Sequence, residues 1–233
     1  MSSTRLPGKV LLHAGEWPLI ELVVRRLSRA RMLDEVVIAT STDVSDDPLS
    51  AWAASAHCPC YRGSLENVLD RYNEAARTFG ATQIVRITAD CPFIDPGVVD
   101  RVVASRLSAY PSADYASNTL ARTYPRGLDV EVFTRPALEK AATNATLAHE
   151  REHVTPYFFE HPGEFTLLSI TGEKDYSGMR WTVDTPEDLE FVCSVMPHLT
   201  APLLSSWQDI TEVLNKNPEL TSINSGTIQK PYR

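Results

Sequence analysis

The sequence predicts an α/β fold, a doubly wound, mostly parallel or mixed sheet in a single domain. Three observations carry this. Short β-branched runs alternate with amphipathic helical patterns through the first half of the chain. The 233 residues, 43% of them hydrophobic and 22% charged, suffice for one sizeable core without disulfides or structural metals. An apolar run over 84–88 leads straight into Thr88-Ala89-Asp90-Cys91-Pro92, and in an open α/β sheet ligands gather outside the carboxyl ends of strands.

The elements follow in order. Leu19, Leu22, Val23 and Leu27 recur at helical spacing, and the run 36–40 predicts a strand. Leu65, Val68, Leu69, Tyr72 and Ala76 predict the next helix, and 84–88 the next strand. Asp95 before Pro96 reads as an N-cap with proline at the first helical position, for a helix to about Arg106. The second half changes character. Residues 128–133 alternate as a half-exposed strand, 165–170 form another, and 180–183 a third that runs into a helix from Pro186. Thr185, Pro186 and Asp188 make a capping-box start for that helix. Glu150-Arg151-Glu152-His153 begins another helix. A last helix starts near Trp207 with Ile210, Val213 and Leu214 inward, and a polar tail is expected to be loosely held.

Several classes are excluded. The net charge of −8 disfavours a nucleic-acid binder, which needs a basic face. It leaves open a small anionic substrate, for which a few placed cations and an Mg²⁺ suffice. No apolar run approaches the ~18 residues of a membrane span, and no secretory pattern follows Met1, so a cytoplasmic protein is expected. The cysteines at 58, 60, 91 and 193 read as free thiols of a reducing compartment, because the Cys58/Cys60 pair lacks the second half of a zinc site. Walker, G-x-G-x-x-G, H-E-x-x-H and Ser-His-Asp patterns are absent from the sequence.

Chemistry concentrates in a few segments. Ser3-Thr4-Arg5-Leu6-Pro7-Gly8-Lys9 is a loop whose two cations and backbone N–H groups can cradle phosphates. Asp90 ends a strand and is not needed as a cap. Asp184 also ends a predicted strand, and with Thr185 as the cap it lies outside the following helix. Two carboxylates at two strand ends are what an Mg²⁺ on a triphosphate requires. Arg62 and Ser64 flank a glycine where they can face an anion. Asn118, Arg122, Tyr124, Arg126, Asp129 and Glu131, with His153, form a polar set able to hydrogen-bond a sugar or acid.

The Ser3 to Lys9 segment resembles the signature that opens the sugar-acid cytidylyltransferases, the CMP-acylneuraminate and CMP-Kdo synthetase superfamily. Tyr61-Arg62-Gly63-Ser64, Val68-Leu69-Asp70-Arg71-Tyr72, Asp90-Cys91-Pro92, Gly127-Leu128-Asp129-Val130-Glu131, Arg151-Glu152-His153-Val154-Thr155-Pro156-Tyr157 and Trp181-Thr182-Val183-Asp184 resemble its spore-coat polysaccharide biosynthesis protein F branch. The resemblance implies a nucleotide-diphospho-sugar transferase fold of Rossmann-like type. It implies a nucleotide-binding half over about 1–110, a substrate half over about 111–206, and a C-terminal helix and tail over about 207–233. It places Arg5 and Lys9 on the triphosphate of CTP and Asp90 and Asp184 on Mg²⁺. The implied reaction activates a sugar acid as its CMP conjugate with release of pyrophosphate, for a surface polysaccharide, and a homodimer is implied as well. The preference for cytosine rests on the resemblance alone.

The sequence departs from the family in one respect. The apolar strand that precedes the family's loop has no counterpart after Met1, so a sheet without its first strand is expected, or a start placed too late. Two other readings compete. A glycosyltransferase of the same fold would use Asp129-Val130-Glu131 as a D-x-D-like metal site. A shortened homologue without activity would serve as a binding module.

Overall fold

The computed structural model describes residues 5–229. Ser3 and Thr4 of the expected phosphate loop, and the end of the tail over 230–233, lie outside the described residues. From Arg5 the chain turns through Gly8 (φ 67°) into one 3₁₀ turn, Lys9–Leu11. A two-residue hairpin, β1 (His13–Ala14) with β2 (Trp17–Pro18), leads into α1 (Leu19–Leu27). Then follow β3 (Ile38–Ser41), α2 (Asp47–Ser55), β4 (Cys60–Gly63), α3 (Val68–Thr78), β5 (Gln83–Arg86) and α4 (Pro96–Ser108). The second half comprises β6 (Tyr115–Ser117), β7 (Glu131–Thr134), α5 (Arg135–Asn144), α6 (Ala148–His153), α7 (Pro156–Glu160), β8 (Leu167–Ser169), α8 (Pro186–Val195) and α9 (Trp207–Lys216).

Strands β3 and β4 pair in parallel. The larger sheet has the order β5-β7-β6-β8, with β7 antiparallel to both neighbours and β6 parallel to β8. Among the described residues no ladder joins the two sheets. The larger sheet is covered on both faces. Tyr115 and Phe133 point into a core with Leu69, Leu138 and Phe158, beneath α3, α5 and α7. Their chain neighbours Ala116 and Val132 point the other way, into a core with Leu22, Val99, Val102, Phe191 and Ile210 from α1, α4, α8 and α9. This is the period-2 alternation of a doubly covered strand. Each large side chain so buried contributes roughly 1.5–3 kcal/mol relative to exposure.

Capping fixes where the helices begin. Asp95 accepts from Gly97 N and Val98 N at 2.8 and 3.0 Å, and its second oxygen accepts from Trp207 N at 2.8 Å. One carboxylate thus starts α4 and ties α9 to it. Thr185 and Asp188 form the expected capping box of α8. The helix expected from Leu65 begins only at Val68, because Asn67 takes the cap with its side chain on Asp70 N. Glu150 lies inside α6 rather than at its start, and its carboxylate accepts from Thr146 N and Leu147 N.

Two further expectations need correction. Residues 180–183 form no ladder strand, only an isolated bridge from Arg180 to Arg126. The segment divides its hydrogen bonds between two loops: Trp181 N donates to Arg126 O at 2.7 Å and Val183 N to Asp90 O at 2.8 Å. The tail is held as far as Asn224, while Ser225, Gly226, Ile228 and Gln229 are exposed. Leu220 packs into the main core and Asn224 is buried, because both a hydrophobic site and hydrogen-bond partners await them. All four cysteines are free. No helix among the described residues is long and apolar enough to cross a membrane.

Candidate active site

Three chain segments meet beyond the end of β5. The chain leaving β5 carries Asp90, the 3₁₀ turn carries Lys9, and the extended segment before α8 carries Asp184. The hydrogen bond from Val183 N to Asp90 O brings the two aspartates to one place. The Lys9 ammonium lies between them, donating to Asp90 Oδ2 at 2.7 Å and to Asp184 Oδ1 at 2.8 Å. Arg5 reaches the other oxygen of Asp184 at 3.2 Å, and Arg180 Nη2 reaches it at 2.9 Å. Arg180 also forks onto the fully buried Asp188, with Nε and Nη2 both at 2.9 Å.

The electrostatics follow from this arrangement. Burial opposes a charge on Lys9, yet the Asp90 and Asp184 carboxylates outweigh it and hold the ammonium above its ordinary value. Burial likewise opposes ionisation of Asp184. The hydrogen bond and charge of Lys9, then Arg180 and Arg5, override it and hold the carboxyl below the usual range. Cys91, next to Asp90, goes the other way: burial first, then the Asp90 and Asp129 charges, push its thiol well up, so it is no nucleophile. Three cations thus balance three carboxylates, with Arg5, Lys9 and Arg180 against Asp90, Asp184 and Asp188.

This geometry fits a divalent cation. Two carboxylates from different segments already converge on one cationic group, and a hard ion such as Mg²⁺ uses one or two carboxylates and leaves the rest to phosphate and water. No cluster of three or more potential metal ligands occurs among the described residues.

The remaining candidate residues divide into two groups. The antiparallel register sets Arg86 of β5 opposite Glu131 of β7, which carries the residues just before β7 toward the Asp90 end. There Arg122 holds Asp129 through two nitrogens, at 2.5 and 2.8 Å. Glu131 pairs with Arg86 and accepts from the Tyr115 hydroxyl at 2.6 Å. Each carboxylate of the Asp-x-Glu pair is therefore matched to its own arginine rather than directed to a shared metal. His153 ends α6 near the Arg86 charge. The second group serves the scaffold. Asn118 is buried, donating to Leu128 O at 2.7 Å and accepting from Val130 N at 2.9 Å. Tyr124 is buried, its hydroxyl accepting from Arg101 and its ring against Trp207. Arg126 contributes its backbone to Met179 and Trp181. Arg62 donates to Ser41 O at 2.8 Å and Asp43 O at 3.0 Å and pairs with Asp47, while Ser64 accepts from Asn67 N. Arg180 was missed by the sequence reading. Its signal was present, four residues before Asp184 and eight before Asp188, but the motif around it explained itself as a helix start.

His153 yields a pH prediction. Burial, with the Arg86 and His149 charges, lowers its pKa despite Glu152. A depressed imidazole binds protons more readily in the unfolded chain, so stability declines as pH falls below about 6.5 and is retained above it. Thermal melts between pH 5 and 8 should show that decline, and His153→Gln should flatten it. An identical pH profile in both proteins would remove His153 from the account.

A family model described as cytidylyltransferase matches residues 1–210. The chain belongs to the cytidylyltransferase family. This cytidylyltransferase is 35% identical over 233 residues to an uncharacterized protein of Methanocaldococcus jannaschii, covering 99% of this chain and 93% of that one. It is 30% identical to the spore coat polysaccharide biosynthesis protein SpsF of Bacillus subtilis, over 94% of this chain and 92% of SpsF. A cytidylyltransferase structure from Leptospira borgpetersenii superposes with a TM-score of 0.91 at 34% identity, covering 100% of this chain and 95% of the other. The CMP:2-keto-3-deoxy-manno-octonic acid synthetase complexed with CTP shares the fold at a TM-score of 0.63 and 19% identity, over 84% of this chain and 94% of its own. The chain is thus a nucleotidyltransferase of the Rossmann-like type, as the sequence led us to expect.

Proposed function

We propose that this cytidylyltransferase transfers CMP from CTP to a hydroxyl of a sugar acid or related substrate destined for a surface polysaccharide. The observation that carries the reading is the Lys9 ammonium shared by Asp90 and Asp184, with Arg5 beside it. The similarity to SpsF supports the polysaccharide role. The sugar acid is supported by a 3-deoxy-manno-octulosonate cytidylyltransferase of Geobacter sulfurreducens, 33% identical over 61% of this chain and 54% of its own.

In this reaction the substrate oxygen bonds to the α-phosphorus and its proton passes to a base or to water. The α–β bridging P–O bond breaks, and pyrophosphate leaves with the electron pair. Arg5 and Lys9 hold the phosphate chain and offset the charge that grows on its oxygens. Asp90 and Asp184 would hold an Mg²⁺, which when bound supplies further neutralisation of that charge. On nucleotide binding Lys9 would exchange its carboxylates for phosphate oxygens, which its flexible stem allows. Arg122 with Asp129, and Arg86 with Glu131 and His153, are the candidates to bind the sugar substrate.

The test is pyrophosphate release from CTP with Mg²⁺ against a panel of eight- and nine-carbon sugar acids and neutral sugars. Release with no member of the panel, or transfer from a nucleotide-sugar instead, would overturn the reading. Lys9→Ala should weaken CTP binding by about 1.5–3 kcal/mol, roughly 10–100-fold, for one lost charge-assisted contact. Calorimetry that returns the wild-type affinity would place Lys9 off the phosphates.

A further inference from the structure

Beyond residue 210, where the family match ends, the chain returns to the back of the site. After α9 a 3₁₀ turn, Pro218–Ser222, packs Leu220 into the main core and delivers Asn224 beside α8. The Asn224 amide nitrogen donates to Arg180 O at 3.1 Å and to Asp188 Oδ1 at 3.0 Å. Five residues on, Gln229 Oε1 accepts from Arg180 Nη1 at 2.6 Å. The two residues therefore hold the arginine from both ends, through its backbone carbonyl and through its guanidinium.

The network continues inward without a gap. Asp188 accepts five donors: Arg180 Nε and Asn224 Nδ2 on one oxygen, and Arg180 Nη2, Asp184 N and Thr185 N on the other. That carboxylate is fully buried and satisfied, so it has one low-energy orientation. It fixes the Arg180 fork, and the same Nη2 then donates to Asp184 Oδ2 at 2.9 Å. Asp184 Oδ1 is left facing Lys9 and Asp90.

We propose that Asn224 and Gln229 are positioning residues for the reaction, orienting the Asp184 carboxylate through Arg180 and Asp188. The C-terminal segment is then part of the nucleotide site although it lies outside the family match. The inference rests on the metal-assisted reading of Asp184 given above. Arg180 and Asp188 stand one step behind Asp184, where removal of a partner typically costs about 10–100-fold in metal affinity or activity. Asn224 and Gln229 stand one step further back, so the lower end of that range is expected for them.

The test uses the full chain carrying Asn224→Ala and, separately, Gln229→Ala. We expect the Mg²⁺ concentration for half-maximal pyrophosphate release from CTP to rise about 10-fold in either variant, with kcat at saturating Mg²⁺ largely kept. A double-mutant cycle separates positioning from bulk stability. CTP affinity in the presence of Mg²⁺ should also fall in Asn224→Ala, and that fall should vanish when Asp184 is already Asn and persist when Asp90 is Asn instead. A lower melting temperature with unchanged Mg²⁺ dependence and CTP affinity would overturn the proposal, because the segment would then only add stability. If the wild-type protein neither binds CTP nor uses a divalent cation, the reading of the reaction fails first. Ligand-free crystal structures then decide the clamp. An Asp184 carboxylate displaced from Arg180 in Asn224→Ala supports it, and an unmoved one overturns it.

Discussion

Asp90→Asn is expected to lower turnover by at least about 10²-fold, the scale seen when one electrostatic contact to the reacting centre is removed. The same change should hardly disturb the fold. The backbone carbonyl of Asp90 accepts from Val183 N at 2.8 Å and Thr182 Oγ1 at 3.3 Å, and its carboxylate accepts from Lys9 at 2.7 Å. An asparagine keeps that carbonyl in place. Its side-chain oxygen can still accept from Lys9, which also retains Asp184 at 2.8 Å. The charge balance shifts by one unit, from three carboxylates against three cations to two against three. A loss of about 1 kcal/mol is in order for a charged hydrogen bond turned neutral, or about 2–4 °C in Tm for a chain of this size. Pyrophosphate release and thermal melts on one preparation check both parts. Near-normal turnover at low Mg²⁺ would show that Asp90 holds no metal. A collapse in Tm would show that its charge is structural.

The second large effect is expected at Gly127. Its φ is +104°, which L-residues rarely adopt, and a Cβ there would stand 2.8 Å from the Trp181 carbonyl carbon and 2.9 Å from Thr182 N. These are backbone atoms and cannot rotate aside. Arg126 O is the acceptor for Trp181 N at 2.7 Å, so the two segments cannot separate without breaking that bond. Strain at positive φ costs about 1–3 kcal/mol, and forcing an extra carbon into packed structure about 1–3 kcal/mol more. Gly127→Ala should therefore lower Tm on the order of 10 °C. It should also reduce activity beyond the loss of folded protein, because the displaced segment carries Arg180 and Asp184. Gly163→Ala is the control: its φ is +90° but nothing lies within 4 Å of the added carbon, so only the strain remains. Equal effects at the two glycines would mean that the close approach of Trp181 is not what matters.

Much of this protein is decided by local sequence. The alternation of β-branched and amphipathic runs is enough for an α/β sheet, because side-chain period follows backbone geometry. Asp95 before Pro96, and Thr185 with Asp188, start α4 and α8 where their spacing places them, since a cap acts within one turn. Asp90 and Asp184 could be singled out because each occupies a position that local structure does not need filled, and Lys9 because it is one of two cations in a loop able to cradle phosphates. Proximity is another matter. Lys9 and Asp184 are 175 residues apart, and only the tertiary fold places the ammonium between two carboxylates. The same holds for residues that looked available. Asn118 and Arg62 are polar and stand in loops or at strand ends, but distant backbone carbonyls use their donors. Arg180 is hidden for the opposite reason: Asp188 is only eight residues away, but the spacing is explained by the helix start, and Asn224 and Gln229 lie on a distant segment that no pattern along the chain records. Hydrogen bonds within one turn are written in residue spacing. Those that close the site depend on which segments the hydrophobic cores bring together, and that is fixed by packing over the whole chain.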